Sequence, residues 1–479
     1  RLQVPRAREQ PLEGALVAEF GWSDPWARDL VLDFKDPVDR VRVVRVNEVA
    51  VEWTPRFDHV VVSADTLVVG ERNRVEVEFI AGDDALNRND DFLYTLFVPN
   101  RAHFSLPLFD QPNLKARFAL TLEVPQGWVA VANGSATESP GPDGGTTYRF
   151  AETQPIPSYL FAFAVGDFQI ESAERAGRTF RMFHRETDVE KVGRNREAIF
   201  DLHTSALAWL EDYTQVAYPF GKFDFVLIPP FQYGGMEHPG SIFYLASSLM
   251  LDESATQSQV LGRASLIAHE TAHMWFGDLV TMNWFDDVWT KEVFANFMAA
   301  KIVQPAFPEV HHDLRFFLAH HDRAYGVDRT AGSNPIRQQL DNLQDAGALY
   351  GPVIYQKAPI VMRHLERLLG EESFRDGLRE YLQTFRYGNA TWPDLIAILD
   401  QRSDVDLPAW SAVWVEESGR PAVTVELSET RAGGMDGVTV SQSDPAGRNR
   451  LWPQHLELLL GYADGEIRLP VWLSVASAS

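Results

Sequence analysis

Cysteine is absent from the 479-residue sequence. Its absence excludes disulfides, thiolate metal ligands and cysteine nucleophiles, and leaves histidine and carboxylates as the metal chemistry. It does not choose a compartment, because cytosolic and exported proteins can both lack it. Also missing is any apolar run of the ~18–20 residues that a bilayer-crossing helix needs, so no membrane span is expected. Basic residues are in deficit: 43 Lys and Arg against 67 Asp and Glu leave a formal charge of −24. That balance disfavours nucleic acid and anionic membranes as partners. The sequence opens Arg1-Leu2-Gln3-Val4-Pro5, with no initiator Met and no signal-peptide core. The N-terminus is therefore expected to be processed or trimmed, with a lean towards an exported, periplasmic or secreted protein. No internal repeat or low-complexity tract is present.

What is there suits a protein with sizeable cores: 45% hydrophobic and 12% aromatic residues, including 13 Trp and 30 Phe. The length exceeds one compact domain, and two to four are expected. From 29 to 79 the pattern has period two. Leu30, Leu32 and Phe34 alternate with Val31, Asp33 and Lys35, and Val75, Val77 and Phe79 alternate with Glu76 and Glu78. Further strands are expected over 117–124, 128–132 and 147–150, making an antiparallel β domain that ends near Phe168. The Asn133-Gly134-Ser135 sequon reads as a turn.

Helical spacing begins after Thr187-Asp188, with Ile199, Leu202, Ala206, Leu207 and Leu210 on one face. A buried strand is expected at 223–228. After it, in 232–240, Gly234, Gly235 and Pro239 bracket the pair Met236-Glu237. Glycines there let another backbone approach closely, and the carboxylate can meet a cation. Helices are expected from about 360 to 369, 374 to 385 and 392 to 400. The pairs His311-His312 and His320-His321 read as a surface helix rather than a second metal site. Strands return after Pro421, with a hairpin turn at Ala463-Asp464-Gly465.

The most informative stretch is 261–298. It holds His269-Glu270-Thr271-Ala272-His273, an H-E-x-x-H motif, and then Glu292. Residues four apart on an α-helix share a face, so His269 and His273 aim their imidazoles at one spot. Two imidazoles and a carboxylate form a common ligand set for catalytic zinc, with a fourth position left to water. Glu270 follows the first ligand, where such sites keep the general base. No Gly or Pro interrupts 263–276, and Glu292 falls in a second helical pattern that Asp286 and Asp287 are expected to cap.

Taken together, these residues resemble the aminopeptidase N-like family of gluzincin zinc metallopeptidases, the group that includes leukotriene hydrolase. The run Trp275 to Thr281 (WFGDLVT), with Trp284, Trp289 and Glu292-x-x-Ala295, resembles that family's zinc-site surround. Gly234-Gly235-Met236-Glu237 is similar to its exopeptidase signature, and Tyr355-Gln356-Lys357 to its tyrosine motif. Phe109-Asp110-Gln111-Pro112 with Lys115, and Tyr159-Leu160 through Gly166-Asp167-Phe168, resemble N-terminal hallmarks.

The resemblance implies a multidomain β plus α+β fold. Residues 1–170 would form an N-terminal antiparallel β domain, 171–415 a thermolysin-like zinc catalytic domain, and 416–479 a small, partial β-sandwich. Few residues follow Pro421, so the family's C-terminal helical domain is expected to be missing: either the chain is trimmed or its site is more open than usual. The resemblance further implies one Zn²⁺ per chain, peptide substrates with a free N-terminus gripped by Glu237, and Tyr355 stabilising the tetrahedral intermediate. Gly234, Gly235 and Met236 would line the peptide. Three positions depart from the pattern: His238 replaces the usual Asn, Val98 stands where a second amine ligand often sits, and Ala358-Pro359 replaces the Gly after the motif Lys. The alternatives are a zinc endopeptidase or bifunctional hydrolase of the same fold, and an inert binding scaffold.

Overall fold

In the computed structural model, which describes residues 1–23, 28–429, 435–462 and 465–478, the period-two segments pair as their alternation requires. An eight-stranded sheet runs in the order Ala136–Pro140, Thr146–Phe150, Leu120–Val124, Leu2–Gln3, Glu13–Gly21, Arg72–Ile80, Val41–Val46, Val49–Ala50. Val75, Val77 and Phe79 are buried on one face of it, while Glu76 and Glu78 reach the other. Pairing is antiparallel except that Leu2–Gln3 lies parallel to Leu120–Val124. The strand expected over 117–124 starts only at Leu120, because Phe118 is drawn off to Thr153, whose hydroxyl accepts its N–H at 3.0 Å.

This part belongs to the first of two compact units, Arg1–Ala208 with Tyr218–Thr281. The same unit holds a mixed five-stranded sheet: β1 (Gln169–Arg175), β2 (Arg178–His184), β3 (Phe223–Ile228), β4 (Gly235–Met236) and β5 (Ser241–Leu245), in the order β1-β2-β3-β5-β4. All of β3 is buried, as a strand covered on both faces should be, with its one charged residue, Asp224, paired with Arg181 and Lys222. The long helix α1 (Val189–Thr214) begins in this unit, and α2 (Gln257–His273) follows β5.

The second unit is Trp209–Ala217 with Met282–Ser479. It contains α3 (Val288–Ala306), α4 (His312–Asp328), α5 (Ala358–Leu369), α6 (Glu371–Thr384), α7 (Trp392–Asp400) and α8 (Leu407–Trp414). Gly370, at φ +79°, separates α5 from α6. Strands then return. Ala422–Glu429, Met435–Ser443 and Ser477–Ala478 form one sheet, and Gln454–Tyr462 pairs with Gly465–Leu473. Of the expected turn at Ala463-Asp464-Gly465, the first two residues lie outside the described residues. The fold is thus multidomain: β-rich at the N-terminus, helical in the middle, with strands at the C-terminus. Among the described residues no helix is long and apolar enough to cross a membrane.

Candidate active site

Helix α2 starts on a capping box. Thr256 accepts the N–H of Gln259 and the Gln259 side chain accepts the N–H of Thr256, which satisfies two backbone donors that a helix start leaves open. The helix runs through Gly262 to His273. At its end His269 and His273 face each other, their Nε2 atoms 3.1 Å apart. The Nδ1 of His273 donates to the carbonyl of Phe276 at 3.1 Å, which turns its Nε2 lone pair towards His269. Glu237, Glu270 and His273 are buried, and each places one donor atom within 4.8 Å of the others. The first unit therefore brings together two imidazoles and two carboxylates. The two imidazole nitrogens facing one point suit a zinc ion, with a carboxylate to complete the set.

Strand β4 forms the free edge of the five-stranded sheet, with Gly235 opposite Tyr244 and Met236 opposite Phe243. A Cβ on Gly235 would come 2.3 Å from Oε1 of Glu270, so only a glycine lets the carboxylate lie against this strand undisturbed. His238 is fully buried and packs edge-on against Phe243, with centroids 4.6 Å apart. Its backbone closes the turn that leads into β5. Asn133 is no surface sequon: it is buried, and its Nδ2 donates to the carbonyls of Leu160 and Pro239 at 2.9 and 3.0 Å.

Beneath β4, Tyr244 and His203 form a pair that sequence patterning did not single out. The Tyr244 hydroxyl donates to Nε2 of His203 at 3.1 Å, and Nδ1 of His203 donates to the carbonyl of Ile199 at 2.8 Å. Burial pulls His203 down to about 4, and burial followed by the Glu270 charge pushes Tyr244 well above its ordinary value. Both are therefore neutral around pH 7. Lys115 reaches the loop after α2, where it donates to the carbonyls of Asp278 and Leu279 at 3.1 and 3.3 Å. Burial lowers it to about 7, against the opposing pull of Asp278.

In the second unit, Glu292 is buried on α3 with Lys291 Nζ 3.0 Å from its carboxylate. The expected capping by Asp286 and Asp287 does not occur. Asp286 accepts the N–H of Leu340 at 2.6 Å, and Asp287 pairs with Arg337 at 2.6 Å. Neither side chain can then turn back to its own helix start. Tyr355 is half-buried on a single turn of π-helix, Val353–Lys357, that runs into α5. His320 and His321 are half-buried on α4, a helix that is otherwise mostly exposed.

Two family descriptions match the sequence: the Peptidase family M1 domain over residues 199–414 and the Peptidase M1 N-terminal domain over 84–160. The chain belongs to peptidase family M1. It is similar to a puromycin-sensitive aminopeptidase of Caenorhabditis elegans, at 32% identity over 80% of this chain and 41% of the relative. It is also similar to a leucyl aminopeptidase of Saccharolobus solfataricus, at 32% over 70% of this chain and 42% of the relative. A third relative is an aminopeptidase N of Streptomyces lividans, at 31% over 74% and 41%. The chain thus spans about two fifths of the length of these curated relatives.

Proposed function

We propose that this M1 chain is a zinc-dependent aminopeptidase that removes the N-terminal residue from peptides, with one Zn²⁺ held by His269, His273 and Glu292. The observation that carries the reading is the approach of Glu237 to Glu270 and His273 within 4.8 Å. A carboxylate that close to a hydrolytic base can grip an ammonium only when the bond to be cut is the first in the chain. Zinc, when bound, acidifies a water and polarises the scissile carbonyl.

Glu270 takes the proton of the attacking water and hands it to the departing amine. Glu237 pairs with the free α-ammonium and so fixes the distance from terminus to scissile bond. The peptide adds as a strand along the free edge of β4, over Gly234, Gly235 and Met236. The Tyr355 hydroxyl donates to the developing oxyanion, and losing one such donor costs about 2.7–4 kcal/mol of barrier. The same reading keeps the domain order 1–170, 171–415 and 416–479.

The test uses aminoacyl fluorogenic amides beside their N-acetylated twins, with Glu270→Gln as control. The free substrates are expected to be cleaved in a metal-dependent way, the acetylated ones hardly at all, and the control to lose about 10²–10⁴-fold in kcat. Equal cleavage of both sets would point to an endopeptidase instead, and no cleavage of either to a scaffold.

A further inference from the structure

Pro359 has no N–H to give back to the preceding turn, so an α-helical ladder cannot run unbroken through 355–359. The chain widens there into the π-helical turn Val353–Lys357, closed by the N–H of Ala358 on the carbonyl of Val353. Turns of this kind concentrate at functional sites. That one ring encloses both Tyr355 and Lys357, and the Tyr355 N–H donates to the carbonyl of Gly351 at 3.0 Å. A single turn has little cooperativity of its own, so its shape depends on what holds it from outside.

Lys357 is where it is held. Its Nζ donates to Oδ1 of Asp328, the last residue of α4, at 2.9 Å and to the carbonyl of Gly419 at 2.8 Å. Both side chains of this ion pair are buried. Each anchor is itself fixed. Oδ1 of Asp328 also accepts the hydroxyl of Ser333 at 2.6 Å. Beside Gly419, Arg450 donates to the carbonyl of Ser418 at 3.0 Å, and the Arg420 guanidinium lies 4.1 Å over the ring of Tyr325. Tyr325 stands one turn before Asp328 on α4, and α4 packs along the π-turn. One ammonium therefore joins the turn, the end of α4 and the loop that leads into the C-terminal strands. Burial lowers the lysine below its ordinary value, and the Asp328 charge works against that.

We propose that Lys357 is a positioning residue for Tyr355: its ammonium, clamped between Asp328 and the Gly419 carbonyl, fixes the turn from which the tyrosine hydroxyl acts. The inference rests on Tyr355 being the oxyanion donor. The test compares kcat, KM and melting temperature for Lys357→Met, Tyr355→Phe and the doubles Lys357→Met/Asp328→Asn and Lys357→Met/Tyr355→Phe. Lys357→Met is expected to lower kcat by about ten- to a hundredfold, the scale of a small misplacement, with KM little changed. It also strands a buried carboxylate, so its melting temperature falls. Asp328→Asn removes that stranded charge without restoring the clamp. The double Lys357→Met/Asp328→Asn is therefore expected to regain melting temperature while kcat stays low.

In the Tyr355→Phe background the Lys357 change is expected to add nothing to the loss in kcat. An additive loss there, or a kcat that recovers in step with melting temperature when Asp328→Asn is added, overturns the positioning role and leaves a stability role only. Should Lys357→Met fail to fold, the double Lys357→Met/Asp328→Asn takes its place, alone and combined with Tyr355→Phe. A Tyr355→Phe enzyme with undiminished kcat would sink the oxyanion reading and this inference with it. A crippled Tyr355→Phe beside a fully active Lys357→Met sinks only the inference about Lys357.

Discussion

At Gly235 the Glu270 carboxylate occupies the space a side chain would need, with 2.3 Å between its oxygen and an added Cβ. A branched residue there must push the carboxylate away from the two imidazoles. Gly235→Val is therefore expected to lower kcat by about tenfold or more, part of the 10²–10⁴-fold that a general base contributes. Because the obstacle is the mobile end of a side chain, the melting temperature is expected to hold within a few degrees. A variant with full kcat would show that Glu270 works equally well elsewhere. Single residues also mark how far sequence reading reaches. The convergence of His269 and His273 is legible because helical spacing alone puts both on one face, and Glu270 is picked out by the H-E-x-x-H motif around it. Asn133 is not legible, since what it does depends on a partner that only the folded chain brings near, the carbonyl of Pro239.

Helix α2 carries its two histidines at the end farthest from its cap, about 20–25 Å away at 1.5 Å per residue. The capping box should then govern stability without touching the chemistry. Thr256→Ala is expected to cost about 0.5–2 kcal/mol in urea unfolding, with kcat/KM unchanged within about twofold. A large loss of activity at unchanged stability would mean that fraying at the cap is transmitted along the helix. Elements with a strong period were legible in sequence: α1 starts after Asp188, β3 covers 223–228 and α7 covers 392–400, each as its pattern requires. The π-turn and the edge strand β4 were not. Each is too short to show a period, and each is set by one residue, Pro359 or Gly235, whose effect is on its neighbours.

On the scale of the first unit, two tethers join segments far apart in sequence: Asn133 to Pro239, and Lys115 to the Asp278-Leu279 carbonyls. They hold the N-terminal β region to the strand and loop on either side of α2, and so fix the surroundings of the metal-binding end. The Lys115 tether carries a pH signature. Its ammonium falls from the ordinary 10.5 to about 7 on burial. Between those values the unfolded chain holds a proton that the folded chain has released, so this group makes folding more favourable as pH rises through the window. Below about 7 the lysine is charged in both states and the burial penalty is present in full. Lys115→Met removes this dependence. The stability of the wild type relative to the variant is therefore expected to climb by on the order of 1 kcal/mol per pH unit from pH 7 towards 10, read by urea unfolding at three pH values. A flat difference would mean that the Asp278 charge and the two carbonyls keep Lys115 protonated in the fold. The tether would then be a permanent ion contact rather than a neutral amine.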